Sequence, residues 1–156
     1  MNAEIQQIIR ALQEVLNGEP WYGKSFQNLL AEINPGIVYK KLGENAHSLI
    51  DLIYHMVTWS DFTKQRLYRD KNLDLSALHA FDWRETITTI HTWNNGLSEF
   101  TASTNAIIEI LKTCTDDLLQ EKVDYRDYNF NVLLNGLVQH NIYHIGQIAF
   151  LNKALS

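Results

Sequence analysis

The chain has 156 residues, 46% of them apolar, and 13 basic against 18 acidic side chains for a formal charge of −5. That length suits a single domain with a real core, and two prolines and seven glycines exclude a collagenous or linker-like chain. With no basic run longer than Lys40-Lys41 there is no footprint for a nucleic-acid backbone.

Cys114 is the lone cysteine, which excludes an internal disulfide framework and a thiolate-built zinc site. No stretch reaches the roughly 18 apolar residues that span a bilayer, and Met1-Asn2-Ala3-Glu4 does not open a signal peptide. The expectation is a soluble cytoplasmic protein.

Taken in chain order, Ile5, Ile8, Ile9, Leu12, Val15 and Leu16 repeat at helical spacing, and Gly18 is expected to end that helix in a left-handed C-cap. A shorter helix carries Phe26, Leu29, Leu30 and Ile33 after a candidate Ser25 N-cap, and Asn34-Pro35-Gly36 closes it. A second long helix is expected from about Asn45 to Arg69, with Leu49, Leu52, Ile53, Met56, Trp59 and Phe62 on its apolar face. Residues 70–90, with Leu73, Leu75, Leu78, Phe81 and Trp83 scattered among polar ones, read as a long loop packed against the helices.

A third long helix covers about 91–114, with Leu97, Phe100, Ile107, Ile108 and Leu111 inward. A polar connection through Asp116-Asp117 and Tyr125-Arg126-Asp127 leads to a fourth, capped by Asn129 and running to Lys153. Four amphipathic helices without strand-like alternation predict an all-α four-helix bundle, with residues 1–156 as one domain.

The stripe of the last helix is unusual. It reads Leu133, Leu137, His140, His144, Ile148, Leu151, Leu155, so two imidazoles one turn apart stand where the pattern asks for Leu or Ile. Such a pair can converge on one metal ion. His55 interrupts the stripe of the second long helix in the same way, and could complete a three-histidine set. Three neutral nitrogen ligands with an open fourth position describe a catalytic zinc-type site. A single inward histidine is more often a core residue bonded to a carbonyl, and periodicity alone does not place the third imidazole beside the other two.

Asp51, one turn before His55, and Gln147, three residues after His144, are candidates to orient an imidazole, alongside Tyr54 and Tyr143. Both are polar helix positions, which are more often solvated. Trp59 could wall a pocket, although Trp59, Phe62 and Trp83 otherwise read as core. His47 reads as a surface residue at a helix start, His79 and His91 as solvated, and Cys114 as packing. No nucleophile elbow, dinucleotide fingerprint or phosphate loop is present.

Several blocks together carry a resemblance: Gly18 to Ser25, Asn45-Ala46-His47-Ser48, Leu52 to Trp59, and above all Gln139-His140-Asn141-Ile142-Tyr143-His144-Ile145-Gly146-Gln147-Ile148. In this order, from about Ile5 to Leu155, they resemble the DinB-like (DinB/YfiT) metalloenzymes, a small helical family unrelated to the translesion polymerase of similar name. The resemblance implies a four-helix bundle with a long crossover connection, frequent homodimers, and a divalent metal, commonly zinc or nickel. Carried over by position, its ligands are His55, His140 and His144. Relatives include transferases and isomerases that use low-molecular-weight thiols such as bacillithiol, mycothiol or glutathione, and others described as metal-dependent hydrolases. Ile145 departs from members that carry a basic residue there. The expected function is a metal-dependent thiol S-transferase acting on a small-molecule substrate. The alternatives are a metal-dependent hydrolase and a non-catalytic, stress-related metal- or ligand-binding bundle.

Overall fold

The computed structural model describes residues 2–69 and 75–156. Its elements are α1 (Ala3–Asn17), α2 (Phe26–Leu30), a 3-10 turn at Pro35–Ile37, α3 (Leu49–Leu67), α4 (Leu75–Asp82), α5 (Trp93–Lys112), a second 3-10 turn at Asp116–Gln120, and α6 (Phe130–Leu155). The protein is all-helical. The four long helices contact one another in a ring, α1 against α5, α5 against α3, α3 against α6, and α6 against α1. Among the described residues, no helix is long and apolar enough to cross a membrane.

Local chemistry explains most of the helix starts. Ser48 Oγ accepts from the Asp51 backbone N–H while Asp51 Oδ2 accepts from the Ser48 N–H, a reciprocal capping box that starts α3. Thr92 caps α5 by accepting from Asn95 N–H, and Asn129 caps α6 by accepting from Val132 N–H. α1 borrows its cap, since Asp116 Oδ1 accepts from the Ile5 N–H. Ser25 makes no such bond; it is fully buried ahead of α2.

Three expectations change. Gly18 ends α1 in an extended conformation (φ −81°, ψ −160°), not a left-handed one. Its small size is needed for another reason: a Cβ there would lie 2.7 Å from the Glu14 Cα, under the last turn of the helix. Residues 70–90 do not form one long loop, because Leu75–Asp82 is helical and packs on α3. Too short for a readable period, α4 is held by tertiary bonds instead; Leu73 lies outside the described residues. Trp83 is 43% exposed, so it is not a core residue.

The apolar interior falls into two clusters stacked along the helices. Leu49 to Val57 of α3, Phe100 of α5 and Ile145 to Leu151 of α6 belong to one; Phe62, Ile107 to Leu111 and Phe130 to Leu137 belong to the other. Between them every long helix but α1 places buried polar side chains: Thr58, Ser60 and Thr63 on α3, Ser103 and Thr104 on α5, Asn141 on α6. His55 and His144 are buried at that same level.

Candidate metal centre

α3 and α6 bring the three predicted histidines together. One ring nitrogen from each of His55, His140 and His144 lies within 4.8 Å of the other two. His140 Nε2 is 2.9 Å from His55 Nε2, and the His140 and His144 ring centres are 4.4 Å apart, as a one-turn separation on α6 requires.

The outer nitrogens of two of these rings are held by acceptors. His55 Nδ1–H donates to Asp82 Oδ1 at 2.7 Å, and the Asp82 backbone carbonyl lies 3.3 Å away. His144 Nδ1–H donates to the Gln147 side-chain carbonyl at 2.6 Å, and the Gln147 amide donates to the Tyr143 hydroxyl at 3.3 Å. Each bond puts the proton on Nδ1 and leaves the Nε2 lone pair free, an arrangement familiar behind metal-binding imidazoles.

The electrostatics favour uncharged rings. Burial pushes the His55 pKa down, against the opposing pull of Asp82. Burial likewise lowers that of His144, against Gln147. His140 falls furthest, to about 3, through burial and then the adjacent His144 and His55. Neutral imidazoles are what a metal needs, because a protonated ring has no lone pair to give.

The donor set fits a divalent ion. Two Nε2 atoms facing each other at 2.9 Å repel unless a proton or a cation is shared between them, and His140 Nδ1 is buried without a partner. Such nitrogen ligands suit zinc, nickel, copper or iron better than calcium or magnesium.

The other predicted residues divide. Gln147 accepts from His144 Nδ1–H, and Tyr143 meets Gln147 through its hydroxyl and the His144 ring edge-on. Asp51 does not serve His55: its carboxylate is engaged by Ser48 N–H, the Thr86 hydroxyl and Lys41, and these bonds outweigh burial to lower its pKa. Tyr54 donates to the Thr92 carbonyl and packs edge-on against His91. Trp59 does wall a pocket, beside His140, and its indole N–H donates to Asp82 Oδ1 at 2.8 Å. His91 is not simply solvated, since its Nδ1 accepts from the Ile87 N–H.

Sequence reasoning missed Asp82 and Trp83. The Thr58 hydroxyl donates to the Phe81 carbonyl, and Arg84 bonds both Thr58 and the Phe81 carbonyl, which pins the end of α4 against α3. That anchorage delivers Asp82 to His55 and lays the Trp83 ring flat on it, 3.8 Å between centres. His47, outside the histidine trio, stacks on the same indole at 3.8 Å. An Asp-Trp dipeptide in a segment without periodicity carries no signal that would have placed it here.

The model of the DinB family matches residues 7–155. This chain belongs to the DinB family. No curated protein and no solved structure matches it. His55, His140 and His144 all lie within the matched residues.

Proposed function

We propose that this DinB family protein is a metal-dependent enzyme that transfers a low-molecular-weight thiol to a small electrophile, with His55, His140 and His144 holding a divalent metal. The observation that carries this reading is the convergence of three neutral imidazoles, two of them with their outer nitrogens fixed by Asp82 and Gln147. A divalent ion held there would stabilise a thiol or water as its anion at neutral pH. Nitrogen donors of this kind suit zinc or nickel.

The chemistry of a thiol favours it over water. Asp82 Oδ1 accepts from both His55 and Trp59, which commits that oxygen to orienting the imidazole. A thiol is acidic enough to ionise beside a cation without a separate base. Trp83 covers the outer face of His55 and limits water there. A metal-dependent hydrolase is the second reading, and a non-catalytic binding bundle the third. The family resemblance further supports a cytoplasmic homodimer, which sedimentation of the purified protein would test.

The deciding experiment is metal analysis of protein purified without an affinity tag, followed by conjugation of monochlorobimane to bacillithiol, mycothiol, glutathione or coenzyme A. Transfer by the metal-loaded protein but not the metal-stripped one is expected. Ester or amide hydrolysis without thiol turnover would replace the proposal with the hydrolase reading, and inactivity in both assays would favour the binding bundle.

A further inference from the structure

Beside the histidine cluster, between α3 and the first half of α6, lies a cavity of about 260 Å³. Trp59 and Thr63 form its α3 side, while Leu133, Leu137 and His140 form its α6 side. Leu133 and Leu137 are buried; Val132 is 55% exposed and, with Gly136 and Tyr128, shapes the rim. His140 is thus common to the cavity wall and the histidine cluster, and among the described residues no Asp, Glu, Lys or Arg lines the space.

We propose that this cavity is the binding site for an uncharged apolar group of the substrate, of the size of one substituted aromatic ring, presented to the histidine cluster past His140. This rests on the reading of that cluster as the reacting centre. Three features select the occupant. The lining offers aromatic and aliphatic surface but no counter-charge, so burying an ionised group would go uncompensated. A dry apolar cavity of about 150 Å³ is filled by benzene, so the larger space takes a ring with a short substituent. Position is the third: a group seated here lies against an imidazole of the cluster, whereas one bound elsewhere on the surface does not.

Gly136 leaves open space at the rim of the site. A Cβ at that position would meet no atom within 4 Å, so a side chain can be added there without disturbing the helix packing, and it would project at the cavity rim. Leucine at this position also suits a helix interior better than glycine.

The test is methyl-resolved NMR of the metal-free protein titrated with toluene or with benzoate. Toluene should shift the methyl signals of Val132, Leu133 and Leu137, and benzoate should not. In Gly136→Leu the toluene affinity should fall roughly tenfold or more as the buried contact is lost, with the metal content of the purified variant unchanged. An absence of toluene shifts, equal shifts with benzoate, or equal toluene affinity in the variant would each overturn the proposal. So would methyl shifts that track protein concentration without toluene, because a second copy of the chain would then occupy the space. The titration needs neither metal nor thiol. Toluene binding therefore supports the cavity assignment even where thiol transfer fails, and the failure of either reading is seen separately.

Discussion

A carboxylate behind an imidazole does two things: it fixes which nitrogen carries the proton, and it makes the other nitrogen a better donor. Asp82 does both for His55, and the indole N–H of Trp59 fixes Asp82 in turn. Asp82→Ala should therefore weaken metal binding about 10- to 100-fold, measured by competition with a chromophoric chelator, with the helical circular dichroism unchanged. Asp82→Asn keeps an acceptor oxygen and should lose less. Equal affinity in wild type and Asp82→Ala would show that the His55 ring is held by packing alone. The residues of this centre were unequally legible. His140, His144 and Gln147 share one helix, where spacing converts directly into geometry. Asp51 had equally good spacing to His55, but a carboxylate three residues after a serine at a helix start is used by the cap first. Asp82 is 27 positions from His55 along the chain, and only the packing of α4 brings it near.

At the scale of elements, the same cap makes a prediction. Ser48→Ala removes the acceptor of the Asp51 N–H and should cost about 1 kcal/mol in urea unfolding. The Asp51 carboxylate is held below its ordinary pKa, so at low pH the unfolded chain takes up its proton before the folded one does. Its stabilising contribution is thus complete above the unfolded value of about 3.9 and is lost as pH falls through the folded value. Asp51→Asn should flatten that acid limb of the stability profile; an unchanged limb would exclude Asp51 as its source. Gly18 gives a steric counterpart. Because a Cβ there would run into the Glu14 backbone, Gly18→Ala should destabilise by about 1–3 kcal/mol in thermal unfolding, although alanine has the higher propensity inside a helix. The long helices were legible because five or more apolar residues repeat in each, so one or two substitutions in the stripe hardly blur the period. α4 has eight residues and borrows its stability from Thr58 and Arg84, bonds that no periodicity encodes.

Across the whole molecule, the histidines sit where the two apolar clusters meet. Each cluster is built from residues of all four long helices, and neither needs the imidazoles to hold its parts together. The polar level between them works against folding, since buried rings that must stay neutral replace the Leu or Ile that the stripes call for. A metal that binds the folded chain alone offsets this by mass action, by about 2.7 kcal/mol at a free concentration 100 times its dissociation constant. Two consequences can be separated experimentally. In the native protein, adding zinc or nickel after chelator treatment should raise the unfolding midpoint in proportion to the logarithm of free metal. In His144→Ala that rise should vanish, because two imidazoles remain where three are required. Without metal, however, the variant should keep its helical circular dichroism and unfold cooperatively, since removing the ring leaves the Ile145–Ile148–Leu151 and Leu133–Leu134–Leu137 contacts on either side intact. Loss of helix in the metal-free variant would instead make the ring part of the scaffold, and loss of helix on chelation of the native protein would make the metal structural. A surviving fold with no metal response assigns the cluster to function, because only then is the polar level carried by a core that does not depend on it.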